Sequence, residues 1–208
     1  LKERSVFVTA KIQVYRDIKQ NLQIIKSKLD ADLSYDVIIR EFQFRYQNEI
    51  INSFLVFFDG TINKDYVNDN ILFQANETFK QTNTYNAPDA NSFFKNFVVS
   101  NYVLKESDDF SDIIDKVCFG QIAIFIDHSD VAFTCDMIKY EHRSIEKPFF
   151  ENSITGPQES FNEVLNFNTA LIRKSVRDEN LIIETVNIGK RATNTCAIMY
   201  IKGLTNEK

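Results

Sequence analysis

Two uninterrupted apolar runs of five residues constrain the fold of this chain more than any other feature. They are Phe54–Phe58, which the turn signal Asp59-Gly60 follows, and Ile122–Ile126. The first run is typical of a strand that is buried on both faces, and the second of a strand in a hairpin. Both are far shorter than the roughly 18 apolar residues that indicate a membrane-spanning helix. The sequence therefore predicts strands of a covered sheet.

The order helix, strand, strand recurs three times, at 16–58, 108–137 and 158–202. Apolar residues at helical spacing mark the helices, and short apolar runs around turn residues mark the strands. The first and third copies also share a letter pattern, since VIIREFQF at 37–44 resembles LIIETVNI at 181–188. An internal repeat of this kind predicts two similar units.

The repeat predicts an α/β fold of α+β-like character with two similar subdomains, each a small mixed sheet covered by helices. We place the N-terminal subdomain at 1–104 and the C-terminal subdomain at 105–208, which includes a polar connector at 139–157. No strand–helix–strand unit with a phosphate loop occurs in the sequence, which argues against a Rossmann fold.

Charge and cysteine usage narrow the function classes. The net charge is −5, which disfavours a protein that binds nucleic acid through its phosphates. The cysteines Cys118, Cys135 and Cys196 lie far apart without a C-x-x-C pattern, which is typical of free thiols in a reducing compartment.

The sequence carries no recognisable catalytic motif. Its two histidines are His128, in a turn beside Asp127 and Asp130, and His142, which has no cysteine or carboxylate at ligand spacing. Phosphate-binding, nucleophile-elbow and zinc-protease patterns are missing. We therefore expect a protein that is not an enzyme and that has no catalytic residue, metal or cofactor.

The stretch from Ile154 to Asn206 holds the densest local signals. Gly156 and Pro157 suit the entry to a helix that we predict from about Gln158 to Val176. Asn168 falls inside the apolar stripe of that helix, which includes Phe161 and Val164. It is either a structural amide that ties the helix to a neighbouring strand or connector, or a contact to a ligand or another subunit.

A basic cluster lies in this otherwise acidic half. Arg173 and Arg177 are four residues apart on one helix face, and Lys190 and Arg191 follow Gly189 in the final hairpin. The cluster is either a solvated face with carboxylate partners within the chain, or a docking surface. A docking surface would suit an acidic partner, another copy of the domain or lipid headgroups.

These motifs resemble the A subunit of the GerA family of spore germinant receptors. The family pattern is a Gly-Pro, an acidic residue, a Phe and a Glu that open a helix, then an Asn, a Leu-Ile-Arg and an Ile-Gly-basic-basic hairpin. The residues in those places include Gly156, Pro157, Glu159, Phe161, Asn168, Arg173, Gly189, Lys190 and Arg191. Arg143, Pro148 and Glu151 are similar to the family's connector.

The resemblance implies the soluble N-terminal domain of a nutrient receptor subunit whose membrane-spanning part is absent from this chain. It implies a place on the core side of the spore inner membrane, with B and C subunits and further A subunits as partners. We expect a role in receptor assembly and in signal coupling to an ion-conducting membrane part. The alternative is a nutrient-binding cleft between the subdomains, lined by Asn168, Tyr140 or Arg143.

Overall fold

A computed structural model describes residues 11–80, 87–100, 102–137 and 161–205. The described helices and strands, in chain order, are α1 (Ile18–Lys28), β1 (Val37–Tyr46), β2 (Glu49–Phe58), α2 (Lys64–Val67), a π-helix π1 (Asn68–Leu72), α3 (Phe73–Glu77), α4 (Ala90–Phe93), a second π-helix π2 (Phe94–Val98), β3 (Lys105–Ser107), α5 (Phe110–Cys118), β4 (Ile122–Ile126), β5 (Ala132–Cys135), α6 (Leu165–Ser175), β6 (Leu181–Ile188) and β7 (Asn194–Ile201).

The larger sheet has five antiparallel strands in the order β1-β2-β4-β5-β3. The two apolar runs of the sequence form its inner strands β2 and β4, and every residue of both runs is buried. Phe54 of β2 stacks on Phe125 of β4 with ring centroids 4.7 Å apart, which joins the two runs directly. The covered sheet that the sequence predicts is confirmed.

Helices cover this sheet on both faces, so the chain has two apolar layers. On one face α1 and α5 pack through residues such as Ile25, Ile113 and Val117. On the other face α2 to α4 and the two π-helices pack through residues such as Ile71 and Phe94. These side chains recur at helical spacing along each segment, which explains why each segment turns one stripe toward the sheet.

A second, smaller sheet pairs β6 with β7 in antiparallel register and lies beside α6. The predicted α/β class with two sheets is thus confirmed, but the sheets are unequal. The predicted boundary at 104 and 105 falls inside the five-stranded sheet, because β1 and β2 precede it and β3 to β5 follow it. Strand pairing across that point is non-local, and the repeat pattern carries no information about it.

The helix α6 begins later than the sequence pattern predicts. Val164 is extended, and its N–H donates to Oδ1 of Asn162 at 2.8 Å, so a side-chain turn occupies the place of the expected helical turn. Phe161 and Val164, which we expected on the buried stripe, are 63% and 58% exposed. Residues 158–160 lie outside the described ranges.

Candidate functional site

Arg173 on α6 is the largest side chain among the fully buried ones, with 1% of its surface exposed. We expected it on a basic surface with Arg177, and that expectation is wrong. A guanidinium is protonated at every physiological pH, so burying it requires a counter-charge and partners for its N–H groups. The groups that supply this counter-charge and these hydrogen-bond acceptors define the candidate site.

Asp36, just before β1, supplies the counter-charge. Nε of Arg173 donates to Oδ2 of Asp36 at 3.0 Å, and Nη2 donates to Oδ1 at 3.0 Å. The ring of Phe58 lies 3.9 Å from the guanidinium carbon, which adds a cation–π contact. The paired side chains are 1% and 2% exposed, so this is a two-point ion pair shielded from water.

Ser34 connects the ion pair to the smaller sheet. Its hydroxyl donates to Oδ1 of Asp36 at 2.8 Å and accepts the backbone N–H of Ile183 in β6 at 3.0 Å. The N–H of Tyr35 donates in turn to the carbonyl of Ile183 at 2.9 Å. Residues 34–36 therefore continue the edge of β6 while they also lead into β1, and Arg173 closes the arrangement from α6.

A polar rim surrounds the buried pair. The hydroxyls of Tyr35 and Thr169 are 2.9 Å apart, and Nδ2 of Asn166 donates to Oδ2 of Asp59 at 3.3 Å. Asp59 also pairs with Lys64 at 2.7 Å, and its N–H donates to the carbonyl of Asp36 at 2.7 Å. These contacts join α6 to the turn after β2.

Backbone contact at this junction is close because Gly60 has no side chain. Gly60 has a φ of +78°, and a Cβ placed there would lie 2.8 Å from Cβ of Ala170 and 2.9 Å from the carbonyl oxygen of Asn166. The turn after β2 can approach α6 only with glycine at this position. We call the contacts of Arg173, Asp36, Ser34, Gly60 and Phe58 the polar junction.

The electrostatics of the polar junction favour a fixed arrangement over proton transfer. Burial raises the pKa of the Asp36 carboxyl, and the charge of Arg173 together with the bond from Ser34 opposes that rise. Arginine does not release its proton, and both oxygens of Asp36 accept bonds from it, so the two groups satisfy each other. Its capacity is mechanical, because it fixes α6 against the segment that leads into β1, which Ser34 bonds to β6.

The other expected site residues do not gather around Arg173. Arg177 stacks on Phe119 at 4.5 Å and donates from Nε to the carbonyl of Lys174 at 3.1 Å. Lys190 and Arg191 are exposed in the β6–β7 turn, where Gly189 has a φ of +119°. The expected basic cluster is thus divided between the core, the end of α5 and the tip of the hairpin.

Asn168 bonds to the backbone of the segment that precedes α6. Its Nδ2 donates to the carbonyl of Asn162 at 2.7 Å, and its Oδ1 accepts the N–H of Asn162 at 2.8 Å. It therefore ties α6 to the segment that leads into it. The expected site residues Gly156, Pro157, Glu159, Arg143, Glu151 and Tyr140 lie outside the described residues.

Sequence reasoning missed the partners of Arg173. Asp36, Ser34 and Thr169 are each 1% exposed, yet only their positions in the fold bring them together. The sequence offers only their position as a signal, since Ser34 and Asp36 lie within three residues of Val37, where β1 begins.

Within residues 11–80, 87–100, 102–137 and 161–205, no helix is long and apolar enough to cross a membrane. In the same ranges, no group of three or more His, Cys, Asp and Glu is placed to hold a metal ion.

Comparison with known proteins gives consistent matches. The family model described as Bacillus/Clostridium GerA spore germination protein matches residues 23–208. Stage V sporulation protein AF of Bacillus subtilis is 26% identical over 94% of this chain and 38% of its own length. Spore germination protein KA of the same organism is 26% identical over 89% of this chain and 33% of its own length. The chain thus spans about a third of the length of these relatives.

A solved structure has the same fold. It is the crystal structure of the N-terminal domain of the A subunit of the Bacillus megaterium spore germinant receptor GerK3, with a TM-score of 0.73 and 21% identity. The match covers 96% of this chain and 70% of that one. At this identity the likeness concerns the fold.

Proposed function

Because this chain belongs to the Bacillus/Clostridium GerA spore germination protein family, we propose that it is the N-terminal domain of a germinant receptor A subunit that acts in receptor assembly and signal coupling. In this proposal the full-length protein lies in the spore inner membrane with the domain on the core side. Its partners are B and C subunits and further copies of the A subunit. A conformational change passes through the domain to an ion-conducting membrane part.

The polar junction is the observation that carries the coupling role. Arg173 and Asp36 form a buried ion pair between α6 and the segment that leads into β1, and the hydroxyl of Ser34 bonds that segment to β6 of the smaller sheet. Replacing such a pair by apolar residues often costs nothing, so a buried pair is better explained by geometry than by stability. A two-point guanidinium–carboxylate contact holds one relative orientation of the two sheets, which is what a coupling element requires.

A nutrient-binding role for the cleft has less support. Asn168 is one of the residues expected to line the cleft, and both the oxygen and the nitrogen of its side-chain amide bond to the backbone of Asn162. The other two, Tyr140 and Arg143, lie outside the described residues.

The experiment is a conservative substitution of the junction in the full-length receptor. Arg173→Lys keeps the positive charge but loses the second bond to Asp36, so we expect receptor abundance near wild type and slower nutrient-triggered germination. The matched control is Arg177→Lys on the same helix, which we expect to germinate normally. Abundance is followed by immunoblot and germination by release of spore-core solutes.

Two results would count against the coupling role. Normal germination of Arg173→Lys spores at normal abundance would show that the orientation set by this pair is irrelevant to signalling. An equal loss in Arg173→Lys and Arg177→Lys spores would assign the effect to α6 in general and leave no role for the ion pair.

A further inference from the structure

The strand β1 forms one edge of the five-stranded sheet, and its free side follows from the hairpin register. A two-residue turn joins β1 to β2, and Tyr46 pairs with Glu49 beside it. Alternate residues of an antiparallel strand direct their N–H and C=O groups toward the partner strand. The even-numbered residues of β1 therefore bond to β2, and residues 37, 39, 41, 43 and 45 direct their backbone groups away from the sheet.

The two ends of this free edge are closed within the chain. The N–H of Val37 donates to the carbonyl of Ser34 at 3.2 Å. The N–H of Arg45 donates to the hydroxyl of Thr78 at 2.7 Å. Among the described residues, none bonds to the outward N–H of Ile39, Glu41 or Gln43. Within the described part of the chain, the edge is thus unpaired over three outward positions between two closed ends.

A cavity of about 600 Å³ lies along this open section. Residues 40–43 of β1 and 52–54 of β2 line its floor, Ile18 and Leu22 of α1 line one wall, and Leu72 and Phe79 line the other. Ile18 and Leu22 pack on one face of the sheet and Leu72 on the other, so the cavity reaches both faces beside β1. We call this cavity the β1 groove.

Polar groups in the β1 groove have unused bonding capacity. The hydroxyl of Ser53 is buried, and it has no hydrogen-bond partner among the described residues. Arg40 donates from Nη1 to Asn68 at 3.0 Å, and its side chain is exposed, so other guanidinium N–H groups face the solvent side of the groove. Asn68 is the first residue of π1, and Leu72 is the last. The helix π1 therefore supports Arg40 through Asn68 and forms part of the apolar wall through Leu72.

We propose that the β1 groove binds an extended segment of another receptor subunit, which adds as a strand to the edge of β1. Three open positions correspond to about five residues, or roughly 17 Å of strand. Backbone bonds to Ile39, Glu41 and Gln43 supply the register, as in other cases of β-strand addition. On the Arg40 face the segment carries an acidic side chain, followed by an apolar side chain against Phe42 and Leu72.

The geometry favours a single strand over a second copy of this edge. Antiparallel pairing of two β1 strands centred on Glu41 would oppose two carboxylates, which is destabilising. Each copy would also bring its own α1 and Leu72–Phe79 walls into the space of the other. The inference rests on the proposed function only in assigning the segment to another receptor subunit.

The test is residue-resolved hydrogen exchange on the isolated domain and on the full-length receptor purified with its B and C subunits. In the isolated domain we expect fast exchange at Ile39, Glu41 and Gln43 and slow exchange at Arg40 and Phe42. In the receptor we expect the three fast amides to slow by about tenfold or more, as a new hydrogen bond would produce.

A pair of variants links the protection to the strand edge. Glu41→Pro removes the central outward N–H, and we expect it to abolish the added protection and reduce copurification of the partner subunits. Glu41→Thr keeps the N–H and should behave as wild type. If Glu41→Pro does not fold, Leu72→Trp fills the groove without changing β1, with Leu72→Met as its control, and we expect the same two losses.

Several outcomes would overturn the proposal. One is fast exchange at all three amides in the assembled receptor. This result would overturn strand addition even if the Arg173→Lys test supports signal coupling. Another is protection in the isolated domain that rises with protein concentration in parallel with dimerisation, which would assign the edge to a second copy. A third is protection induced by acetate or free amino acids alone, which would make the groove a small-molecule site.

Discussion

At the residue scale, Gly60 decides how closely the turn after β2 can lie against α6. Its neighbours Ala170 and Asn166 leave less than 3 Å for a Cβ atom, and the nearest polar neighbour is a backbone carbonyl that cannot move alone. The positive φ of +78° adds a second, independent restriction. Both restrictions act on the polar junction, because Phe58, which contacts Arg173, lies two residues before Gly60 at the start of this turn.

We predict that Gly60→Ala lowers the free energy of unfolding by about 2–4 kcal/mol, from steric overlap and left-handed backbone strain together. Gly203→Ala is the matched control, because Gly203 has a φ of +82° and nothing within 4 Å of the added Cβ. It should cost only the backbone component, about 1 kcal/mol. Urea unfolding of both variants measures the difference, and equal losses would show that the contact with α6 is not restrictive.

The three cysteines also differ at this scale, and their reactivity is a second prediction. Cys118 and Cys135 are buried, and burial raises their pKa to about 12 and about 11, whereas Cys196 on β7 is exposed. Because the thiolate is the reactive form, one equivalent of Ellman's reagent should react rapidly in the native domain. All three thiols should react in denaturant. Cys196→Ser is the control and should remove the fast phase, and a persisting fast phase would place a second thiol in contact with solvent.

At the element scale, the sequence predicted most helices and strands because their signals are local. The runs at 54–58 and 122–126 lie in β2 and β4, and the periodic segments at 16–30 and 108–118 contain α1 and α5. The start of α6 was predicted too early, because the capping patterns and apolar spacing gave no weight to the competing turn of Asn162. Side-chain bonds to nearby backbone groups are local as well, but they stop a helix only where the packing does not reward its extension.

At the scale of the whole molecule, the sequence could not predict which strands share a sheet or which polar residues meet. Asp36 and Arg173 are 137 residues apart, and the pairing of β2 with β4 joins the two halves that the repeat pattern separates. The same limit applied to Arg173 itself. Arg173 shares a helix face with Arg177 and is followed by Lys174 and Ser175, which indicates a surface, while its burial depends on Asp36 and Phe58 from distant segments.

We expect the smaller sheet to depend on this junction for its stability. Two strands alone are marginal in water, and the apolar residues Ile188 and Ile198 of this sheet are 58% and 51% exposed. Its contacts with the rest of the chain include the bonds of Ser34 and Tyr35, just before β1, to Ile183, and the ion pair of Lys202 with Asp30 at 2.7 Å. Loosening the polar junction should therefore release β6 and β7 before the larger sheet unfolds.

We predict that Arg173→Met lowers the free energy of unfolding by about 3–5 kcal/mol, because Asp36 stays buried without its counter-charge. Asp36→Leu should be similarly costly, whereas the double variant should lose much less than the sum, which gives a favourable coupling energy between the two sites. Arg177→Met, at an exposed position, should change stability by about 0.5 kcal/mol.

Hydrogen exchange at Ile183 gives the accompanying structural readout for these variants. In either single variant its amide should exchange faster while amides of β2 and β4 stay protected, since the smaller sheet opens first. In the double variant, protection at Ile183 should return. Additive losses in the double variant, or equal loss of protection in β4 and β6, would mean that the pair contributes to general stability and does not hold the two sheets in register.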